Sequence, residues 1–292
     1  MMLKVWIFIF CDLLSINALA QDRIPLTNDL SRDQLALYAQ NLHGGIRAFP
    51  TVFRFPDDTR AGDVFGIDVS HYQGGIDWQR VVGQNVQFAF VKATQGDRSY
   101  DPKFDSNWSA LDKVKTLIRR GAYHFLTAND SAELQADNFI KTIGVLAPAD
   151  LPPCVDVEWD FLIKNGKPVL DAKGGKIDQW VNLSRTEIVN KLNVWLTKVE
   201  AETHRRPIIY TNSIWWNSRI GVSPEFSGYK IWVADYTNKS LGREAPNSPK
   251  NLEWSLWQMT DRGSIKAAGL TKGIDATIVR QADLSLFNNA GQ

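Results

Sequence analysis

Cysteine is nearly missing from this chain. There are two, Cys11 and Cys154. Cys11 falls in an N-terminal stretch that reads as a cleavable leader, so Cys154 would remain alone and no internal disulfide is expected. No activating base stands near Cys154 in the sequence, and its apolar neighbours mark it as a small packed thiol. An excess of one charge is lacking too: 33 Lys and Arg against 32 Asp and Glu leave a net +1. Without a basic field, nucleic acid is not an expected partner. After the leader no apolar run approaches the roughly 20 residues of a membrane span, so no membrane association is expected once it is removed. Internal repeats and an appended binding module are also absent.

What is present is ample material for a core: 44% of the 292 residues are apolar, and eleven are tryptophan. Some of those rings must be buried, but the excess also suits a cleft that stacks aromatic rings on sugar faces. Residues 1–20 have the order of a secretory signal, with Lys4, an apolar stretch over 5–10 and at Leu13-Leu14, and Ala18-Leu19-Ala20 before Gln21. Asp12 interrupts the apolar part, and an uncleaved N-terminal anchor remains the alternative. Export to the periplasm or the medium is the expectation. Residues 21–61 are polar and proline-punctuated, with one helical stripe at Leu35, Leu37, Tyr38 and Leu42. They form an N-terminal extension to a main domain spanning 62–292.

The main domain alternates strand and helix patterns. Strands are expected at 65–69, 87–92, 121–126, in the stretch 151–160, and at 206–211, 229–234, 253–258 and 273–278. Between them, Phe104, Trp108, Leu111, Val114 and Ile118 recur at helical spacing, as do Ala136, Phe139, Ile140 and Ile143 after a start near Asp130. Ser184-Arg185-Thr186-Glu187 is a capping box opening a further helix with Ile188, Leu192, Trp195, Leu196 and Val199 on its buried face. The last three strands lack long intervening helices. Eight strands in about 230 residues point to an α/β fold, a closed barrel of largely parallel strands, with an open doubly wound sheet as the alternative. The segment 161–182 is long for a loop and is expected to be functional or disordered.

The chemistry concentrates in Val155-Asp156-Val157-Glu158-Trp159. A strand period of two puts Asp156 and Glu158 on one face, with Cα atoms roughly 6.5–7 Å apart. Two carboxylates on a strand that should be apolar imply a polar cleft, in which each raises the other's proton affinity. Glycosidic bond cleavage uses such a division into acid and anion. A salt-bridged or solvated pair at a strand end is the bland alternative. A barrel carries its site at the carboxyl ends of its strands, where Asp68, Lys92, His124, Asp156, Glu158, Tyr210, Asp235, Gln258 and Asp275 stand.

These pieces, in order, resemble the family 25 glycoside hydrolases, the muramidases commonly called lysozymes. They are Gly66-Ile67-Asp68-Val69-Ser70, Tyr72-Gln73, Ile76-Asp77-Trp78, Phe90-Val91-Lys92-Ala93-Thr94, Gly121-Ala122-Tyr123-His124-Phe125, Asp156-Val157-Glu158, Pro207-Ile208-Ile209-Tyr210-Thr211, Ile231-Trp232-Val233-Ala234, Leu256-Trp257-Gln258 and Gly273-Ile274-Asp275. The resemblance implies a TIM-like, distorted (β/α)5(β)3 barrel. It further implies hydrolysis of the β-1,4 bond between N-acetylmuramic acid and N-acetylglucosamine in bacterial peptidoglycan, with no metal and no cofactor. Glu158 matches the family's acid, Asp156 the carboxylate that supports the substrate's acetamido group in a retaining, substrate-assisted pathway, and Asp68 and Asp275 the other two acidic positions. Lys92, Tyr123, His124, Trp159, Tyr210, Trp232, Asp235 and Gln258 are the expected substrate-binding residues, and the chain is expected to act as a monomer.

Thr277 stands where family members often carry Asn, which puts one cleft hydrogen bond in doubt. Neither 21–61 nor 161–182 has a counterpart in the resemblance. Two other readings stay open: a catalytically silent glycan-binding barrel, and a metal-dependent hydrolase using Asp68, His71, Asp156 and Asp275.

Overall fold

The structure, a computed structural model, describes residues 64–280 except 85, 238, 241–244 and 266–267, together with Ile24–Pro25 and Asp283. The expected leader, Cys11 and the helical stripe at 35–42 lie outside the described residues. Eight strands form one ring: β1 (Phe65–Val69), β2 (Phe88–Gln95), β3 (Arg119–Phe125), β4 (Cys154–Asp156), β5 (Ile208–Thr211), β6 (Lys230–Ala234), β7 (Trp254–Ile265) and β8 (Leu270–Val279). The first seven pair in parallel, and antiparallel β8 closes the ring by pairing with both β7 and β1. The sheet is therefore closed, and the open doubly wound alternative is excluded.

Five helices follow the first five strands: α1 (Trp78–Val81), α2 (Phe104–Asp112), α3 (Ala132–Ile143), α4 (Arg185–Thr203) and α5 (Ser213–Arg219). The Ser184 capping box forms as expected, with reciprocal bonds between Ser184 and Glu187. The periodic stripe from Phe104 to Ile118, by contrast, is not one helix. After Asp112 the backbone tightens into turns, with Lys113 N–H on the Ala110 carbonyl and Leu117 N–H on the Val114 carbonyl. Val114 and Ile118 still reach the core from those turns.

The pleat divides the apolar side chains into two cores. Outward-facing Ile67, Val91, Val155, Ile209 and Val233 pack with Leu111, Phe139, Trp195 and Leu196 beneath the helices. Inward-facing Phe88, Phe90, Cys154, Ile208, Trp232, Leu256 and Val279 fill the barrel. Two glycines make room for the plug: a Cβ on Gly66 would lie 2.3 Å from the Phe88 ring, and one on Gly121 2.3 Å from the Phe90 ring. The plug occupies the amino-terminal half of the barrel, leaving the other end for polar groups.

Residues 161–182 are ordered. Ile163–Lys164 pairs with Lys167–Pro168 as a small hairpin, Phe161 bridges to Asp178, and a 3-10 turn over Gln179–Asn182 buries Trp180. Asp178 ties this excursion down by accepting both Arg219 Nε (3.1 Å) and Nη2 (2.8 Å). From the N-terminal extension, Ile24–Pro25 adds a two-residue parallel strand beside Gly263 and Ser264 of β7.

Candidate active site

At the carboxyl end of the barrel a cleft of about 190 Å³ is lined by Asp68, Tyr123, Asp156, Glu158, Tyr210, Trp232, Gln258 and Asp275, with Ser70, Tyr72, Gln73 and Cys154. Cys154 is a buried free thiol whose ionisation burial pushes well above the ordinary range, in keeping with the packed residue expected.

The cleft is built on two carboxylate pairs. Asp68 on β1 and Asp275 on β8 are direct partners in the antiparallel register that closes the barrel. Their side chains hydrogen-bond, which requires one shared proton. Burial raises Asp68 to about 6, against the hydrogen bonds from Gln258 and Asp275. Burial and then the Asp68 charge push Asp275 higher, so Asp275 holds the proton and donates. Gln258 Nε2 donates to Asp68 Oδ2 at 2.9 Å, while its Oε1 accepts the hydroxyls of Tyr210, at 2.8 Å, and Tyr236.

The second pair is Asp156 and Glu158. Glu158 lies just past β4, where it is raised to about 7, mainly by burial, against the attraction of Lys92 and a hydrogen bond from Asn212. Asn212 is a double-duty residue: Oδ1 caps α5 by accepting Trp215 N–H at 2.9 Å, which leaves its amide N–H groups for Glu158. Asp156 is pushed well up by burial and by the Glu158 charge, against Lys92. Its buried Oδ1 accepts no hydrogen bond from the protein. A buried acceptor without a donor is rare and costly, and marks a place where a ligand donor fits. Together the two carboxyl groups can retain a proton at neutral pH and exchange it, Asp156 being a group of high proton affinity.

The remaining expected residues divide. Tyr123, Tyr210, Trp232 and Gln258 line the cleft. Trp232 is part of its floor, edge-on to Tyr210 at 5.2 Å, with its indole N–H on Thr277 Oγ1 at 3.1 Å. Thr277 thus makes a buried hydrogen bond at the position where the resemblance left one in doubt. Lys92 shares the inward parity of Phe88 and Phe90 but is not among the residues lining the cleft; it is bonded to Gln95 Oε1 at 2.7 Å and acts on Asp156 and Glu158 through its charge. Trp159 and Asp235 line a neighbouring cavity that shares Glu158 with the cleft. Asp235 is a loop organiser: despite burial, bonds from Ser240, Asn247 and Thr237 hold it below the ordinary carboxylate range.

His124 is a correction. Alternation with Tyr123 turns it outward, where it is fully buried, stacked on Trp195 at 5.6 Å. Gln135 Nε2 donates to Thr127 and Asp130 carbonyls, so its Oε1 faces His124 Nε2, at 3.1 Å, and Thr94 Oγ1 lies 2.7 Å from Nδ1. Burial lowers its pKa to about 3, leaving a neutral structural imidazole. His71 likewise does not join the carboxylates. Its Nδ1 is 2.7 Å from Asp101 Oδ2, and among the described residues no three His, Cys, Asp or Glu side chains form a metal-holding group.

Three contributors were not singled out in the sequence. Asn212 and Tyr236 are the polar partners just described. Trp180, from the 161–182 excursion, donates its indole N–H to the Glu158 carbonyl at 2.8 Å. Only its place in the long insertion after the carboxylate strand signalled it.

Comparison with known proteins agrees with this geometry. Residues 67–268 match the family model for glycosyl hydrolases family 25. Lysozyme M1 of Streptomyces globisporus is 31% identical over 75% of this chain and 68% of its own length. The uncharacterized protein YegX of Escherichia coli K12 is 34% identical over 77% of this chain and 70% of its own. The crystal structure of the bacterial lysozyme from Streptomyces coelicolor superposes with a TM-score of 0.64 and 30% identity, covering 80% of this chain and all of that one. The chain is a glycoside hydrolase of the muramidase type and belongs to glycosyl hydrolases family 25.

Proposed function

We propose that this protein is an exported N-acetylmuramidase that hydrolyses the β-1,4 bond between N-acetylmuramic acid and N-acetylglucosamine in peptidoglycan, with retention through the substrate's own acetamido group. The observation that carries the reading is the pairing of Glu158, raised to about 7, with Asp156, whose buried Oδ1 lacks a protein donor. Glu158 gives its proton to the leaving glycosidic oxygen as the C1–O bond breaks. The acetamido oxygen attacks C1, forming a cyclic oxazoline, and the acetamide N–H goes to the basic Asp156 carboxylate. Ionised Glu158 then takes a proton from the water that opens the ring, and Asp156 returns its proton to nitrogen. The protein atoms end as they began, and no enzyme nucleophile is needed. Asp68 and Asp275, with Gln258, Tyr210 and Tyr236, fix the sugar ring across the cleft.

The test is product analysis. Purified peptidoglycan treated with the protein should yield fragments with N-acetylmuramic acid at the reducing end, the β-anomer appearing first. Fragments ending in N-acetylglucosamine would overturn the bond assignment, and initial α-anomer the retaining pathway. Export is supported by the order of residues 1–20 and predicts a secreted form beginning at Gln21 by mass spectrometry; an intact N-terminus on the exported protein would refute cleavage there.

A further inference from the structure

The 161–182 excursion leaves the barrel three residues after Glu158, so its base lies within roughly 11 Å of the acid along the chain. It follows a parallel strand and therefore stands on the face that carries the cleft. Its frame is rigid. Asp160 N–H donates to Asp178 Oδ1 at 3.2 Å, Trp180 is clamped to the Glu158 carbonyl, and Asn129 Nδ2 donates to Gln179 Oε1 at 2.5 Å.

On this frame stand four exposed lysines, Lys164, Lys167, Lys173 and Lys176. Three lysines elsewhere pair with carboxylates, Lys115 with Asp112, Lys198 with Asp137 and Lys230 with Asp283, whereas the excursion gathers four on one short segment. None of the four excursion lysines has an ion pair among the described residues. The excursion's two acids are already engaged, Asp178 by Arg219 and Asp171 by the backbone N–H groups of Lys173 and Gly175. Four lysines against Asp171, with Asp178 already paired to Arg219, leave a net cationic lip beside a cleft lined by four carboxyl groups. Exposed Leu162, Ile163 and Leu170 lie among the lysines.

Resting on the muramidase reading, we propose that this hairpin is a substrate-contacting lip that binds the anionic stem peptides of peptidoglycan, its lysines meeting stem carboxylates beside the bond that Glu158 addresses. A polymer bearing a carboxylate-rich peptide on every second sugar offers repeated anions along the glycan. The lip supplies the attractive charge that the acidic cleft does not.

The experiment replaces Lys164, Lys167, Lys173 and Lys176 together by Gln in the full chain. Co-sedimentation is measured with insoluble peptidoglycan in two forms, native and with its stem carboxylates converted to amides. Wild type should bind native wall about 10-fold more tightly than amidated wall. The fourfold variant should lose that preference, with an unchanged melting temperature, as expected for several exposed charge pairs acting together. Equal discrimination by variant and wild type would overturn the proposal. So would a loss confined to vesicles rich in anionic phosphatidylglycerol, which would make the lip a lipid contact instead. Release of reducing ends is recorded in parallel: if wild type discriminates between the two walls yet cleaves neither, the muramidase reading fails while the lip stands.

Discussion

Replacing Glu158 by Gln should do two things of opposite benefit, and the pair is more diagnostic than either alone. The side chain sits between the cleft and its neighbouring cavity, and burial raises its pKa from the ordinary 4.5 to about 7. At 1.36 kcal/mol per pKa unit, that difference corresponds to roughly 3 kcal/mol of native-state cost when the group is forced to ionise. Partial access to solvent through the cleft reduces this to about 1–2 kcal/mol. The sign follows from the direction of the shift. A carboxyl raised in the folded state stabilises the fold most below its unfolded pKa, and that contribution is lost as pH rises from about 4.5 through about 7. Gln carries no charge at any pH, and its substitution also removes the Glu158 charge that pushes Asp156 up. E158Q should therefore be more stable than wild type at pH 8 by about 1–2 kcal/mol, with the advantage gone at pH 4. Urea unfolding of both proteins at the two pH values, read by tryptophan fluorescence, measures it. The same variant should release reducing ends from peptidoglycan at no more than about a thousandth of the wild-type rate, as loss of the general acid requires. An inactive variant whose stability tracks wild type at both pH values would refute the raised acid. A more stable variant that keeps substantial activity would refute its role in catalysis.

Two further substitutions test how the acid is held. Trp180→Phe keeps the buried ring but removes the hydrogen bond to the Glu158 carbonyl; kcat should fall about 10-fold with KM nearly unchanged and a stability loss of about 1 kcal/mol, and a change confined to KM or to the melting temperature would show that Trp180 only packs. Asn212→Ser retains an oxygen to cap α5 but takes away the amide that donates to Glu158; the alkaline limb of kcat/KM should move upward by roughly half a pH unit, and a downward or absent displacement would contradict that bond's place in setting the acid.

The barrel was legible because its strands obey a strict pleat, and Asp68, Asp156, Glu158, Tyr210, Gln258 and Asp275 all fall on the inward parity of their strands. The same rule separates the expected site residues. Tyr123 and His124 are adjacent on one strand and cannot both face the cleft; the structure gives Tyr123 to the cleft and His124 to the helix layer. Trp159 is out of phase with Glu158, and Asp235 with Trp232 and Ala234 on the inner face; both line the neighbouring cavity that shares Glu158 with the cleft. A polar residue near a strand end reaches the cleft only where its parity is inward. Trp180 and Asn212 were illegible for a different reason. Their contacts with Glu158 cross 22 and 54 residues of chain through an irregular segment and a helix cap. No local period encodes such contacts. The length of 161–182 correctly raised the choice between function and disorder, and bridges such as Phe161 with Asp178 decide for order.

The division of the barrel interior explains how four buried carboxylates are tolerated at all. Below, Phe88, Phe90, Trp232 and Leu256 close the barrel with apolar contacts, the Trp232 indole N–H being satisfied by Thr277 Oγ1. Above, the charges are compensated unequally. Asp68 has Gln258 and the proton of Asp275; Glu158 has Asn212 and the field of Lys92. Asp156 has Lys92 at a distance but no donor on Oδ1. Its burial is therefore the least compensated in the free protein, and an N–H from a bound acetamide is the kind of group that would relieve it. Because the carboxylate is already stripped of water, that bond strengthens as positive charge builds on the acetamido group, with little further reorganisation. On the substrate-assisted pathway proposed above, the oxygen that lacks a donor in the protein is thus the one from which a substrate carrying an N-acetyl group would gain most in the transition state, a physical reason for an uncompensated acid at this position.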